Sequence, residues 1–124
     1  MKVVFGSWLD EHFEDFDEPI QLAVADFVVH VQSHGLKGLK GRNKSSVLPS
    51  PHTKKEQRRH AFAQKHCLWH YHLGVPCYIQ QANGELTSEY VLHYSYYQDM
   101  IVLIDIGTHP PFELPNVDRM GFVE

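Results

Sequence analysis

His70 and His72 stand two residues apart in the run Leu68-Trp69-His70-Tyr71-His72-Leu73, and His109 follows the apolar run Met100–Ile106. If both runs are strands, side chains two apart point to one face, so His70 and His72 share a surface that a ring at the end of a neighbouring strand can reach. Imidazole titrates near pH 6.5, so such a set can take a proton and give one close to neutrality. A satisfied structural ring is an equal reading for any one of the three; the set together favours chemistry. The same residues offer a second chemistry, since His66, His70 and His72 together could ligate zinc. No acid and no Cys-x-x-Cys accompanies them on that strand, so the expectation is general acid–base work with no metal and no cofactor.

Charge says what the substrate would be. The chain carries 11 Lys+Arg against 15 Asp+Glu, a formal net charge of −4. Yet Lys37, Lys40, Arg42, Lys44, Lys54, Lys55, Arg58, Arg59 and Lys65 crowd into one segment in which Glu56 is the only acid. A positive face on an acidic protein points to a polyanionic partner, where an ordinary solvated surface is the plain alternative. The 124 residues, 43% of them hydrophobic, suit one domain, 1–124, with a modest core. There is no signal peptide and no long apolar run, and two cysteines make no disulfide framework, so a cytoplasmic protein with no membrane partner is expected. Cys67, in a strand-like run, reads as a small buried hydrophobe.

The elements that must position these groups are legible in part. Val3-Val4-Phe5 reads as a first strand, and Trp8–Phe16 as a helical turn or two. Asp17-Glu18-Pro19 opens a helix over 18–34, with Ile20, Val24, Phe27, Val28 and Val31 as its buried stripe and Gly35 as its cap. His30 and His34, one turn apart, fall on its exposed face near the C-terminus. Residues 35–51 read as a loop. Thr53-x-x-Glu56 is a capping box that starts a basic helix at about 54–64. A strand follows over 66–75. Asn83-Gly84 marks a turn, Tyr90–Tyr97 a strand, Gln98-Asp99 a tight turn, and Met100–Ile106 a central strand. Gly107 is expected to let the backbone turn, with Pro110-Pro111 stiffening the chain beyond His109, and 112–124 reads as an irregular tail. The sum is an α+β domain: an N-terminal strand and helices on a small antiparallel β-meander.

With its Gly35-Leu36…Gly41-Arg42 loop, His70-Tyr71-His72-Leu73, Val91-Leu92-His93-Tyr94 and Ile101-Val102-Leu103-Ile104 in that order, the chain resembles the RelE/ParE superfamily of type II toxin–antitoxin toxins, nearest the YafO family. The resemblance spans about residues 20–112. It implies a RelE-like fold and a ribosome-dependent mRNA endoribonuclease, held in check by a cognate antitoxin, with the ribosome and mRNA as its other partners. It also implies a functional histidine at the position of His109 and a functional aromatic near Tyr94. Many relatives carry an arginine in the middle strand, where this chain has Val91 and its neighbours, so the cation for the scissile phosphate must come from Arg42, from His70 or His72, or from the 54–65 helix.

Metal-free RNA cleavage needs a base for the 2′-OH, an acid for the 5′ leaving oxygen and cations about the phosphorane. His109, His70 and His72, with Tyr94, are the catalytic candidates. Arg42, Lys44, Lys54, Lys55, Arg58, Arg59, Lys65 and Tyr96 are the RNA-binding candidates, the tyrosines as rings that orient the sugar or stack a base. Two other classes stay open: a non-catalytic toxin of the same fold, such as a gyrase poison, and a nucleic-acid or protein-binding module.

Overall fold

In the computed structural model, which describes residues 1–48, 50–109, 113–115 and 119, a five-stranded sheet has helices on both faces. In chain order the elements are β1 (Lys2–Phe5), α1 (Ser7–His12) with a 3₁₀ turn (Phe13–Asp15), α2 (Glu18–His34), β2 (Asn43–Ser45), α3 (Lys54–Lys65), β3 (Leu68–His72), a hairpin of β4 (Ile79–Gln80) and β5 (Leu86–Thr87), β6 (Tyr90–Tyr97) and β7 (Met100–Thr108). The sheet order is β1-β7-β6-β3-β2.

The helices follow their signals. α2 carries Pro19 in its first turn, buries Ile20, Val24, Phe27 and Val31, and ends where Gly35 takes φ +68° and its N–H bonds to Val31 O. Thr53 and Glu56 cap α3 reciprocally. Apart from its parallel edge, the sheet is the expected antiparallel one. β3, β6 and β7 pair antiparallel, while β1 lies parallel to β7, so the sheet is mixed rather than a pure meander. A second departure is β2. Residues 43–45 lie inside the expected loop, yet they pair antiparallel with β3 and occupy its outer edge, taking backbone groups that a loop would leave unmatched. The polar Asn43-Lys44-Ser45 carries no strand signal of its own.

Gly41 makes that edge possible. A Cβ there would fall 2.1 Å from His72 O, so only glycine lets the chain come close enough for the His72 N–H to bond to Arg42 O at 2.9 Å. Gly107 does not turn the chain as expected. It lies within β7, and a Cβ on it would meet His93 Nε2 at 3.2 Å; it makes room for a ring. Cys67 is also not a buried strand residue: it is partly exposed, at φ +52°, in the bend before β3. Pro110, Pro111 and, apart from 113–115 and 119, the residues of the expected tail lie outside the described residues.

Two apolar clusters clasp the sheet. On one face α1 and α2 bury Leu9, Val24, Phe27 and Val31 against Tyr71, Leu92, Tyr94, Ile101 and Leu103. On the other, α3 packs Ala63 and Phe62 on Leu68, Val102 and Ile104. Among the described residues no helix is long and apolar enough to cross a membrane.

Candidate functional site

Alternation along β3 and β6 sorts the side chains. Trp69 pairs in register with Tyr94 and Tyr71 with Leu92, and all four pack on the α2 side. His70 pairs with His93 and His72 with Val91, and these point to the α3 side. His109, just past the end of β7, is held there by its own N–H bonding to Glu89 O at 2.6 Å. The rings of His109 and His72 lie 5.3 Å apart, those of His109 and His70 6.1 Å, and those of His70 and His72 6.2 Å. The expected trio therefore meets. His66, the third ligand of the zinc reading, is not among them.

The rings are fixed from behind. His70 Nδ1 lies 2.8 Å from Ser46 Oγ. His72 Nδ1 lies 2.9 Å from both the N–H and the carbonyl of Ser88, accepting from the first or donating to the second according to its tautomer. Burial pushes His70 down to about 3, with the neighbouring rings of His93, His72 and His109 and then Arg42 adding to the fall. Burial also lowers His72, against the opposing effect of its bond to Ser88, and it lowers His109, where Arg42 adds to the drop. Burial thus disfavours the protonated form of all three rings.

His93 is a fourth ring that sequence reasoning passed over. It is 1% exposed, its ring lies 6.4 Å from that of His70, and burial, reinforced by His109, brings it down to about 4. Its place was readable: it has the opposite phase to Tyr94 and Tyr96 on one strand. Ser46 and Ser88 were also missed, because a hydroxyl and a backbone group give no signal until the register is known.

Two clefts open onto the rings, and both are lined by Arg42 and His109. One, of 190 Å³, adds Lys44, Ser46, Leu48 and His70; the other, of 210 Å³, adds His72, Gln81 and Thr87. Arg42 is half-buried on this rim, its Nε donating to Glu85 Oε2 at 2.8 Å. Among the described residues, Arg42 and Lys44 are thus the two cations that line the 190 Å³ cleft beside His70 and His109. Lys54, Lys55, Arg58 and Lys65 are exposed on α3 and Arg59 is half-exposed; among the described residues α3 lines neither cleft. It touches the rim indirectly, through His60 Nδ1 donating to Leu48 O at 2.8 Å. A larger hollow of 480 Å³ lies beside His93, lined by the acids Asp105 and Glu113, of which Asp105 is engaged by Arg119 at 2.8 Å.

Tyr94 does not belong to this site. It is fully buried on the α2 face, its hydroxyl donates to Asn43 Oδ1 at 2.6 Å, and burial raises its pKa far from neutrality. Tyr96 shares that face, edge-on to Trp69 at 5.5 Å, so it cannot stack a base held at the histidines. The sheet itself stands between the tyrosines and the rings.

Comparison with protein-family models, with curated proteins and with solved structures finds no match to this chain.

Proposed function

We propose that the protein is a toxin of a type II toxin–antitoxin system, cutting mRNA on the ribosome by attack of a 2′-OH on the adjacent phosphate. The observation that carries the reading is the convergence of His70, His72 and His109 beside Arg42 and Lys44 at one pair of clefts. A neutral imidazole takes the 2′-OH proton as the 2′ oxygen attacks phosphorus. The P–O5′ bond breaks, and the proton taken from the 2′-OH, carried on an imidazolium of the cluster, goes to the leaving 5′ oxygen. This leaves a 2′,3′-cyclic phosphate and a 5′-OH. His109, the least buried of the trio, is the ring that reaches the substrate. Arg42 and Lys44 meet the phosphate charge, where fixed cations are worth most.

The exposed cations of α3 supply a surface for ribosomal RNA, and their sign suits an acidic antitoxin segment as the inhibitor. The test is product chemistry. Ribosomes programmed with a message and treated with purified protein should yield fragments with 5′-OH and 2′,3′-cyclic phosphate ends. Intact message at equimolar protein, or fragments with 5′-phosphates, would reject the mechanism.

A further inference from the structure

Three histidines that share one small space have a use apart from proton transfer. One ring nitrogen from each of His70, His72 and His109 lies within 4.8 Å of the others. Three nitrogens on a tetrahedral zinc, each bonded at about 2.0–2.1 Å, stand roughly 3.4 Å apart. The trio is therefore open by little more than an ångström. His70 and His72 are buried on a sheet strand, whereas His109 is partly exposed just past a strand end, so His109 is the arm that closes.

The surroundings suit a ligand set. Ser46 Oγ holds His70 at Nδ1, and the Ser88 backbone holds His72 at Nδ1. A ring held at Nδ1 coordinates through Nε2, and this is the outer-shell arrangement that fixes tautomer and orientation in metal-binding histidines. Arg42 is the unfavourable neighbour, and its pairing with Glu85 at 2.8 Å offsets much of its charge.

We propose that His70, His72 and His109 form a three-histidine site for one borderline divalent cation of the zinc class, with its fourth position open to the cleft rimmed by Arg42 and Lys44. Three protein ligands and one open position is the coordination of a site that exchanges an anion or water. The inference goes beyond the RNA reading and stands without it. If both hold, zinc occupies the rings that move protons and switches cleavage off.

The test is binding by the full chain, stripped of metal with a chelator. Cobalt(II) should saturate at one ion per chain with the strong d–d bands of a four-coordinate ion, and zinc should displace it. His109→Ala, checked for fold by circular dichroism, should weaken zinc by roughly 100-fold or more, and Ser46→Ala by about 10–100-fold as an outer-shell loss. His34→Ala, at the surface pair whose rings lie 5.3 Å apart on α2, should change nothing. Ring-nitrogen NMR of the wild-type protein needs no variant: zinc should shift His70, His72 and His109. No saturable cobalt site, binding indifferent to His109→Ala, or shifts confined to His30 and His34 would each overturn the site.

Discussion

The two faces of the sheet are built by the same strands and come to opposite ends. Toward α2, β3 and β6 present Trp69, Tyr71, Leu92, Tyr94 and Tyr96, which join one apolar cluster with Phe27 and Val31. Toward α3, one residue out of phase, they present His70, His72 and His93. The first face stabilises by removing area from water, at about 25 cal/mol per Å². The second places polar rings where burial is costly, and holds them with Ser46 and Ser88. A face that only stabilised would not be expected to gather four imidazoles. Both faces stabilise, the α3 side through Ala63, Leu68, Val102 and Ile104, and on the proposed function only the histidine side also carries chemistry; that contrast can be broken from either side.

The largest effect is expected on the histidine face. His109→Ala should lower the cleavage rate by roughly 10²–10⁴, the span of general acid–base help, with little change in the unfolding midpoint. His109→Gln should be as inactive, since an amide does not titrate. Cleavage at the wild-type rate in either variant would remove His109 from the chemistry.

The opposite face should answer in stability. Phe27 is 2% exposed and packs against Tyr71 and Tyr94 with ring centroids 4.9 and 5.6 Å away. Phe27→Ala should cost about 3–5 kcal/mol in denaturant unfolding. The rate per folded molecule should stay near wild type. A rate loss comparable to that of His109→Ala would mean the faces are not separable.

The smallest effect sharpens the assignment of Tyr94. Tyr94→Phe removes only its bond to Asn43 Oδ1 and leaves that acceptor without it, a loss of about 1–3 kcal/mol. Cleavage should be unchanged; a rate loss of 10²-fold or more would place Tyr94 in the proposed site.

Much of this was legible before the fold was known, and the failures have physical causes. Helix α2 runs from Glu18 to His34 as its Pro, its apolar spacing and Gly35 indicated. Period-two alternation placed His70 and His72 on one face, and the strand-end position brought His109 to them. The same rule, applied without the register, put Tyr94 among the catalytic candidates with the histidines. Pairing of Trp69 with Tyr94 and His70 with His93 settles it, and that pairing is a long-range fact. The parallel β1–β7 pair and the β2 edge were invisible for a similar reason: Asn43-Lys44-Ser45 is a strand because β3 needs a neighbour, not because of its own residues.

The central claim, that the histidine face cuts RNA, is tested most directly by mapping transcript 5′ ends in cells after brief induction of the wild-type chain and of His109→Ala. New 5′ ends within translated messages, together with growth arrest, are expected for the wild type, and neither for His109→Ala at equal protein level. Growth arrest with intact messages, or the same new ends from both proteins, would contradict it.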